Sequence, residues 1–165
     1  MPTLGVQAEY GFEAQPYFLA NCSSFEPCQG SPTQAPDPNR EEATGFDAWR
    51  RAGVSSAVIV PRASTHLDFT DTPPILPASQ LGQAMASYYI QAWLGEYLQH
   101  APWAGAALQS PTIRYLMPGA NDSRKLVSFA RNGNLSFYFC SGFAFRLGGH
   151  PVVNGDLTGD GCPAG

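Results

Sequence analysis

The sequence predicts an α/β fold: a parallel strand–helix–strand unit, then one long helix, then a β-rich C-terminal stretch. Three observations carry this. Val58-Ile59-Val60 is a short β-branched apolar run stopped by Pro61, which reads as a buried strand. Gln80 to His100 is of helical length and places apolar residues at three- and four-residue spacing. Beyond Pro102 the chain breaks into short apolar runs parted by Gly, Asn and Pro.

Taken in order, Thr3–Gln7 reads as a first strand, with Glu9 directly behind it. Residues 14–44 are rich in Pro, Ser and Gln and form a long excursion, read as a lid or surface wrap. Thr44 to Gly53 reads as a short helix. Thr44 caps it, Asp47 suits its first turn, Arg50 and Arg51 suit its last turn, and Gly53 ends it. Phe46 and Trp49 would face the sheet. The second strand is Ala57–Val60. Strand, helix and strand then make a parallel βαβ unit with both carboxyl ends on one edge. Ser79 would cap the long helix, with Leu81, Met85, Tyr88, Ala92 and Gly95 on one stripe. Ile90, Trp93, Leu94, Tyr97 and Leu98 cover much of its remaining surface, so it is expected to be well buried. The last third reads as strands Ile113–Met117, Leu126–Phe129 and Leu135–Phe139, with an irregular glycine-rich tail.

Composition narrows the function. At 165 residues the chain is long enough for a real core. Only 13% of residues are charged and the formal net charge is -4, with no Lys/Arg patch, so nucleic acid is not an expected partner. No apolar run approaches the ~18–20 residues of a membrane span. Four cysteines, Cys22, Cys28, Cys140 and Cys162, show no zinc spacing. Their even count in loop-like sequence favours two disulfides, Cys22–Cys28 and Cys140–Cys162, with the other pairings open, and hence an extracellular, oxidising setting. The N-terminus does not read as a signal peptide, so the chain is expected to come from within a longer exported protein. Asp156-x-Thr158-x-Asp160-Gly161 copies the front of a calcium loop without its closing carboxylate, and no metal or cofactor is expected. His100 reads as a helix-end dipole partner and His150 as a turn residue.

The stretch Val58 to Phe69 carries the chemistry. A strand that ends by presenting a histidine, here His66, places a general base at the carboxyl edge of a parallel sheet. Glu9 leaves the neighbouring strand at the same edge, so a carboxylate and an imidazole far apart in sequence are expected to meet. A carboxylate on one imidazole nitrogen sets the tautomer that lets the other take a nucleophile's proton.

The residues Pro2 to Tyr10, Trp49 to Val54, Val58 to Phe69 and Leu76 to Tyr97, in this order, resemble the C-terminal part of secreted bacterial α/β-hydrolases of the esterase or lipase kind. Asn134 to Phe143 and Asp156 to Cys162 resemble an extension in the same group. The resemblance implies a partial α/β-hydrolase sheet over residues 1–102 and a β-rich, disulfide-stapled extension over 103–165. It implies His66 as triad base and Glu9 as its acid, with Asp47 as a rival acid. It also implies a small-molecule or lipid ester as substrate. The chain contains no G-x-S-x-G, the elbow that carries the nucleophile in that fold. Two functions follow. One is the acid- and histidine-bearing part of a secreted serine hydrolase, inert by itself. The other is a non-catalytic, disulfide-stapled extracellular binding or structural module. A piece of such a sheet would also self-associate through its exposed edge at Thr3–Gln7.

Overall fold

The computed structural model describes residues 1–10, 45–69, 80–118 and 123–159. Strand β1 (Thr3–Val6) pairs in parallel with β2 (Ser56–Ile59), joined in sequence by helix α1 (Gly45–Arg51). The ladder is extended at both ends: Thr3 N–H donates to Ser55 O at 2.9 Å and Gln7 N–H to Ile59 O at 2.9 Å. The expected βαβ order is therefore present. Gly53, with φ of 69°, supplies the left-handed residue that releases the chain from α1 toward β2.

β2 is buried along its whole length, and its alternating side chains enter two different cores. Val58 and Val60 point toward Phe46, Trp49 and Phe139. Ala57 and Ile59 point into the larger core with Met85, Tyr89, Ala92 and Trp93 of α2 (Gln80–Leu94). A strand covered on both faces has no polar side to show, which is why Ala57–Val60 reads as an unbroken apolar run.

The C-terminal stretch extends this sheet. β5 (Gly142–Leu147) pairs antiparallel with β2, and β6 (His150–Asn154) pairs with β5, giving the order β1-β2-β5-β6. Phe143 and Phe145 of β5, together with Leu108, Ile113, Leu135 and Leu157, share the core that holds Ile59 and Met85. β3 (Thr112–Pro118) and β4 (Arg124–Ala130) form a separate two-stranded ribbon in continuous antiparallel register. The ribbon is tied to α2 by the Tyr115 hydroxyl, which donates to Ser87 Oγ at 3.1 Å, and by the fully buried Ile113.

Several sequence expectations are corrected. Leu135–Phe139 is not a strand. Leu135 makes one isolated bridge to Pro61, and Ser136 Oγ then accepts from the amides of Tyr138 and Phe139, curling the backbone into a turn. The irregular tail contains a hairpin instead. Gly148 and Gly149, at φ of 54° and 84°, make the two-residue turn between Leu147 and His150. Two successive positive φ angles match the twist of a tight hairpin, and glycine adopts them without strain. His150 is thus the first residue of β6. Helix α3 (Ala104–Gln109) was not anticipated; the buried Arg131 closes its end by donating to Ser110 O at 3.1 Å.

The long helix is also less enclosed than expected. It changes to a π turn over Gly95–Gln99 and stops at His100, whose left-handed φ of 51° precedes Pro102. Met85, Tyr89 and Ala92 are buried, but Ile90, Leu94 and Leu98 are 42%, 44% and 73% exposed. Only one face of the helix meets the sheet, so its all-round apolar composition did not translate into all-round burial. Among the described residues no helix is long and apolar enough to cross a membrane. The 14–44 excursion, the Thr44 and Ser79 caps, and Cys22, Cys28 and Cys162 lie outside the described residues. Among those described, no cysteine is free.

Burial pushes the Tyr89 hydroxyl up to about 12, against the opposing pull of the neighbouring Arg131 guanidinium. The sign is unfavourable to alkaline stability: above about pH 10 the unfolded chain releases this proton first and the folded state lags. Unfolding free energy is therefore expected to fall between pH 10 and about 12, by roughly 2–3 kcal/mol from this group. Urea titrations across that window should show the fall, and Tyr89→Phe should flatten it.

Candidate functional site

The site is built on the two loops that leave the parallel strands. Beyond β2, Val60 no longer has a ladder partner in β1, and the C-terminal stretch satisfies its backbone. Val60 N–H donates to Ser141 Oγ at 2.9 Å, and Val60 O accepts from Ser136 N–H at 2.8 Å. Pro61 then turns the chain into the segment Arg62-Ala63-Ser64-Thr65, and His66 opens a 3-10 turn, His66–Phe69.

Glu9 meets this turn directly. It is only 2% exposed, and its Oε2 accepts from the Ala63 amide at 2.6 Å. Its own N–H donates to Ser64 Oγ at 3.0 Å, and Tyr10 N–H donates to Ser64 O at 3.0 Å. The Ser64 hydroxyl, fully buried, donates in turn to Pro61 O at 2.6 Å. The loop after β1 and the turn before His66 are thus laced by three hydrogen bonds through Glu9, Tyr10 and Ser64, and the Ser64 hydroxyl ties the turn to itself. Ala63 has φ of 56°, a left-handed conformation that costs a residue with a Cβ about 1–2 kcal/mol. A hydrogen bond from that residue's own amide to the buried Glu9 carboxyl offsets part of the cost and holds the turn in place.

The turn is closed on its other side by Asp68, two residues beyond the histidine. Asp68 is 3% exposed; its Oδ2 accepts from Thr65 N–H at 3.2 Å while its own N–H donates to Thr65 O at 3.0 Å. The first turn of α2 presses on this carboxylate so closely that a Cβ added to Gly82 would lie 2.5 Å from Oδ2. His66 itself is exposed at the rim. The result is a solvent-facing imidazole on a turn braced by two buried carboxylates, Glu9 behind it and Asp68 beneath it.

The two predicted site residues are therefore on neighbouring loops at one sheet edge. The Glu9 carboxyl sits on the Ala63 amide and so shapes the turn that carries His66. Asp47 falls within α1, and its side chain lies outside what is described. Three residues of the site were not picked out from the sequence. Asp68 had a local signal, the Thr65-x-x-Asp68 spacing of a capping box. Ser64 and Arg62 had none, because the contacts that place them at the site, Ser64 with Glu9 and Arg62 with Asn134 and Phe137, span more than 50 residues of chain.

Other candidates take no part. Asp156 Oδ1 accepts from the amides of Thr158 and Gly159 at 3.0 and 3.2 Å, which is a self-contained turn, and Asp160 lies outside the described residues. Among the described residues no cluster of three or more His, Cys, Asp or Glu is arranged to hold a metal. His100 lines an open concavity with Glu96, Gly105 and Leu147, away from Glu9 and His66.

No family model matches this chain, and no curated protein or solved structure is similar enough to it to match.

The lacing predicts its own weak point. Ser64→Ala removes the acceptor of the buried Glu9 N–H and one of the two donors to Pro61 O, at a cost of about 1–3 kcal/mol. Amide hydrogen exchange should show the Glu9 and Tyr10 amides losing protection selectively, ahead of the β5–β6 hairpin. Uniform loss across the sheet would mean that the bonds do not act locally.

Proposed function

We propose that this chain is the acid- and histidine-bearing C-terminal portion of a secreted serine hydrolase acting on carboxylic esters. The observation that carries the reading is the lacing of the Glu9 loop to the His66 turn at the carboxyl edge of a parallel strand pair. In this reading His66 is the general base and Glu9 is the acid that orients it, in addition to shaping the turn through Oε2. The nucleophile and its elbow come from sequence upstream, on a strand that continues the sheet beyond β1. That assignment makes the sheet part of an α/β-hydrolase. Residues 1–102 are then the end of the hydrolase domain, and residues 103–165 a disulfide-stapled extension suited to an extracellular setting. No metal or cofactor enters the reaction. Among the described residues β1 ends the sheet, so self-association along that edge belongs to the same reading.

A second reading, a non-catalytic extracellular module, draws on a different observation. β5 and β6 complete the sheet and share its core, so the chain has much of what an independent module requires.

The tests separate these. The purified chain is expected to show no turnover of p-nitrophenyl butyrate, and a longer coding frame is expected to carry G-x-S-x-G upstream. An upstream frame without that motif removes the hydrolase reading. Within this chain, nitrogen-15 chemical shifts of the neutral His66 ring report which nitrogen holds the proton. Glu9→Gln is expected to redistribute the two tautomers; an unchanged ratio in a folded variant would show that Glu9 does not orient the imidazole.

A further inference from the structure

Beside the His66 turn lies a feature that the acid–histidine pair does not use. The segment 134–139 runs back along the end of β2: Arg62 N–H donates to Asn134 O at 2.8 Å, Leu135 bridges Pro61, and Ser136 N–H donates to Val60 O at 2.8 Å. Leu135 and Ser136 are buried, and the Ser136 hydroxyl accepts from the amides of Tyr138 and Phe139 at 3.0 and 3.1 Å. This well-anchored turn nevertheless leaves Phe137 and Tyr138 each 48% exposed. Over the Phe137 ring, 4.4 Å from its centroid, sits the Arg62 guanidinium, exposed and without a carboxylate partner among the described residues.

Half-exposed aromatic rings and a guanidinium without a carboxylate partner among the described residues, four residues before His66, make a two-part recognition surface. The rings offer apolar contact on a backbone that hydrogen bonds already hold. The guanidinium offers forked N–H donors suited to a carboxylate. On a chain of net charge -4, a cation left unmatched at this edge favours an anionic ligand locally. We propose that Arg62, Phe137 and Tyr138 bind an apolar-tailed carboxylate, its head on Arg62 and its tail across the two rings. The surface itself rests on these residues alone. Only the identification of the ligand as the acid product of ester cleavage rests on the proposed hydrolase reading.

The test needs no nucleophile. The isotope-labelled full chain is titrated with sodium octanoate, 1-octanol and sodium acetate, and backbone amides and the Arg62 side chain are followed by NMR. Octanoate is expected to shift residues 136–139 and the Arg62 Nε–H, and to bind at least about tenfold more tightly than octanol or acetate. Arg62→Gln and Phe137→Ala, each checked for an unchanged far-UV spectrum, are each expected to weaken octanoate at least about fivefold. Should either variant fail to fold, Tyr138→Ala replaces it with the same expectation. Octanol binding as tightly as octanoate, shifts confined to the Ile90–Leu94–Leu98 stripe, or affinity untouched by the substitutions would each overturn the proposal. An inert His66 or an unchanged tautomer ratio leaves this result intact, so the two readings fail separately.

Discussion

A buried carboxylate bonded to the amide of a left-handed alanine is the contact on which the arrangement of this edge depends. Glu9 Oε2 reaches Ala63 N–H at 2.6 Å, and Ala63 has φ of 56°. Without the bond, the turn from Pro61 to Thr65 has every reason to relax toward ordinary right-handed geometry. With it, the turn is held out from the sheet and His66 stands at the rim. The parallel ladder between Thr3–Val6 and Ser56–Ile59 is what brings Glu9 within reach, because parallel neighbours release their chains at the same end.

The C-terminal stretch has a larger part than that of an appendage. It pairs β5 with the far side of β2, and it supplies the partners that Val60 lacks once β1 has ended: the Ser141 hydroxyl for its N–H and the Ser136 amide for its carbonyl. An unpaired backbone group at so buried a position would cost about 1–3 kcal/mol. Meeting that requirement brings residues 134–139 alongside the His66 turn, and with them the aromatic pair over which Arg62 sits. The chemistry proposed for this edge therefore draws on three segments widely separated in sequence.

The two sheet edges are treated differently. β6 carries Pro151, which has no N–H to offer an incoming strand. β1 is short and carries no charged residue or proline within it. Among the described residues it is bonded on one side to β2 and ends the sheet on the other. That asymmetry is consistent with a sheet that continues beyond β1 in the proposed hydrolase, and with pairing between copies of the isolated chain.

The two β-branched runs, the glycine after α1 and the apolar stripe on α2 made the βαβ unit and the long helix legible, because each of those signals is local. The Gly148-Gly149 hairpin and the Thr65-x-x-Asp68 turn also have local signals, the paired glycines and the capping-box spacing. Leu135–Phe139 reads as a strand by composition, yet a single buried hydroxyl at Ser136 bends it, since two amides compete successfully for its oxygen. The sequence by itself determined the two parallel strands, the helix between them and the long helix, and that Glu9 and His66 follow strands. Only the tertiary structure decided that Ser64 receives the Glu9 amide, that β5 rather than another strand flanks β2, and that Arg62 lies over Phe137. Those contacts join residues 55 to 88 positions apart, and their energy exists only once the chain has closed upon itself.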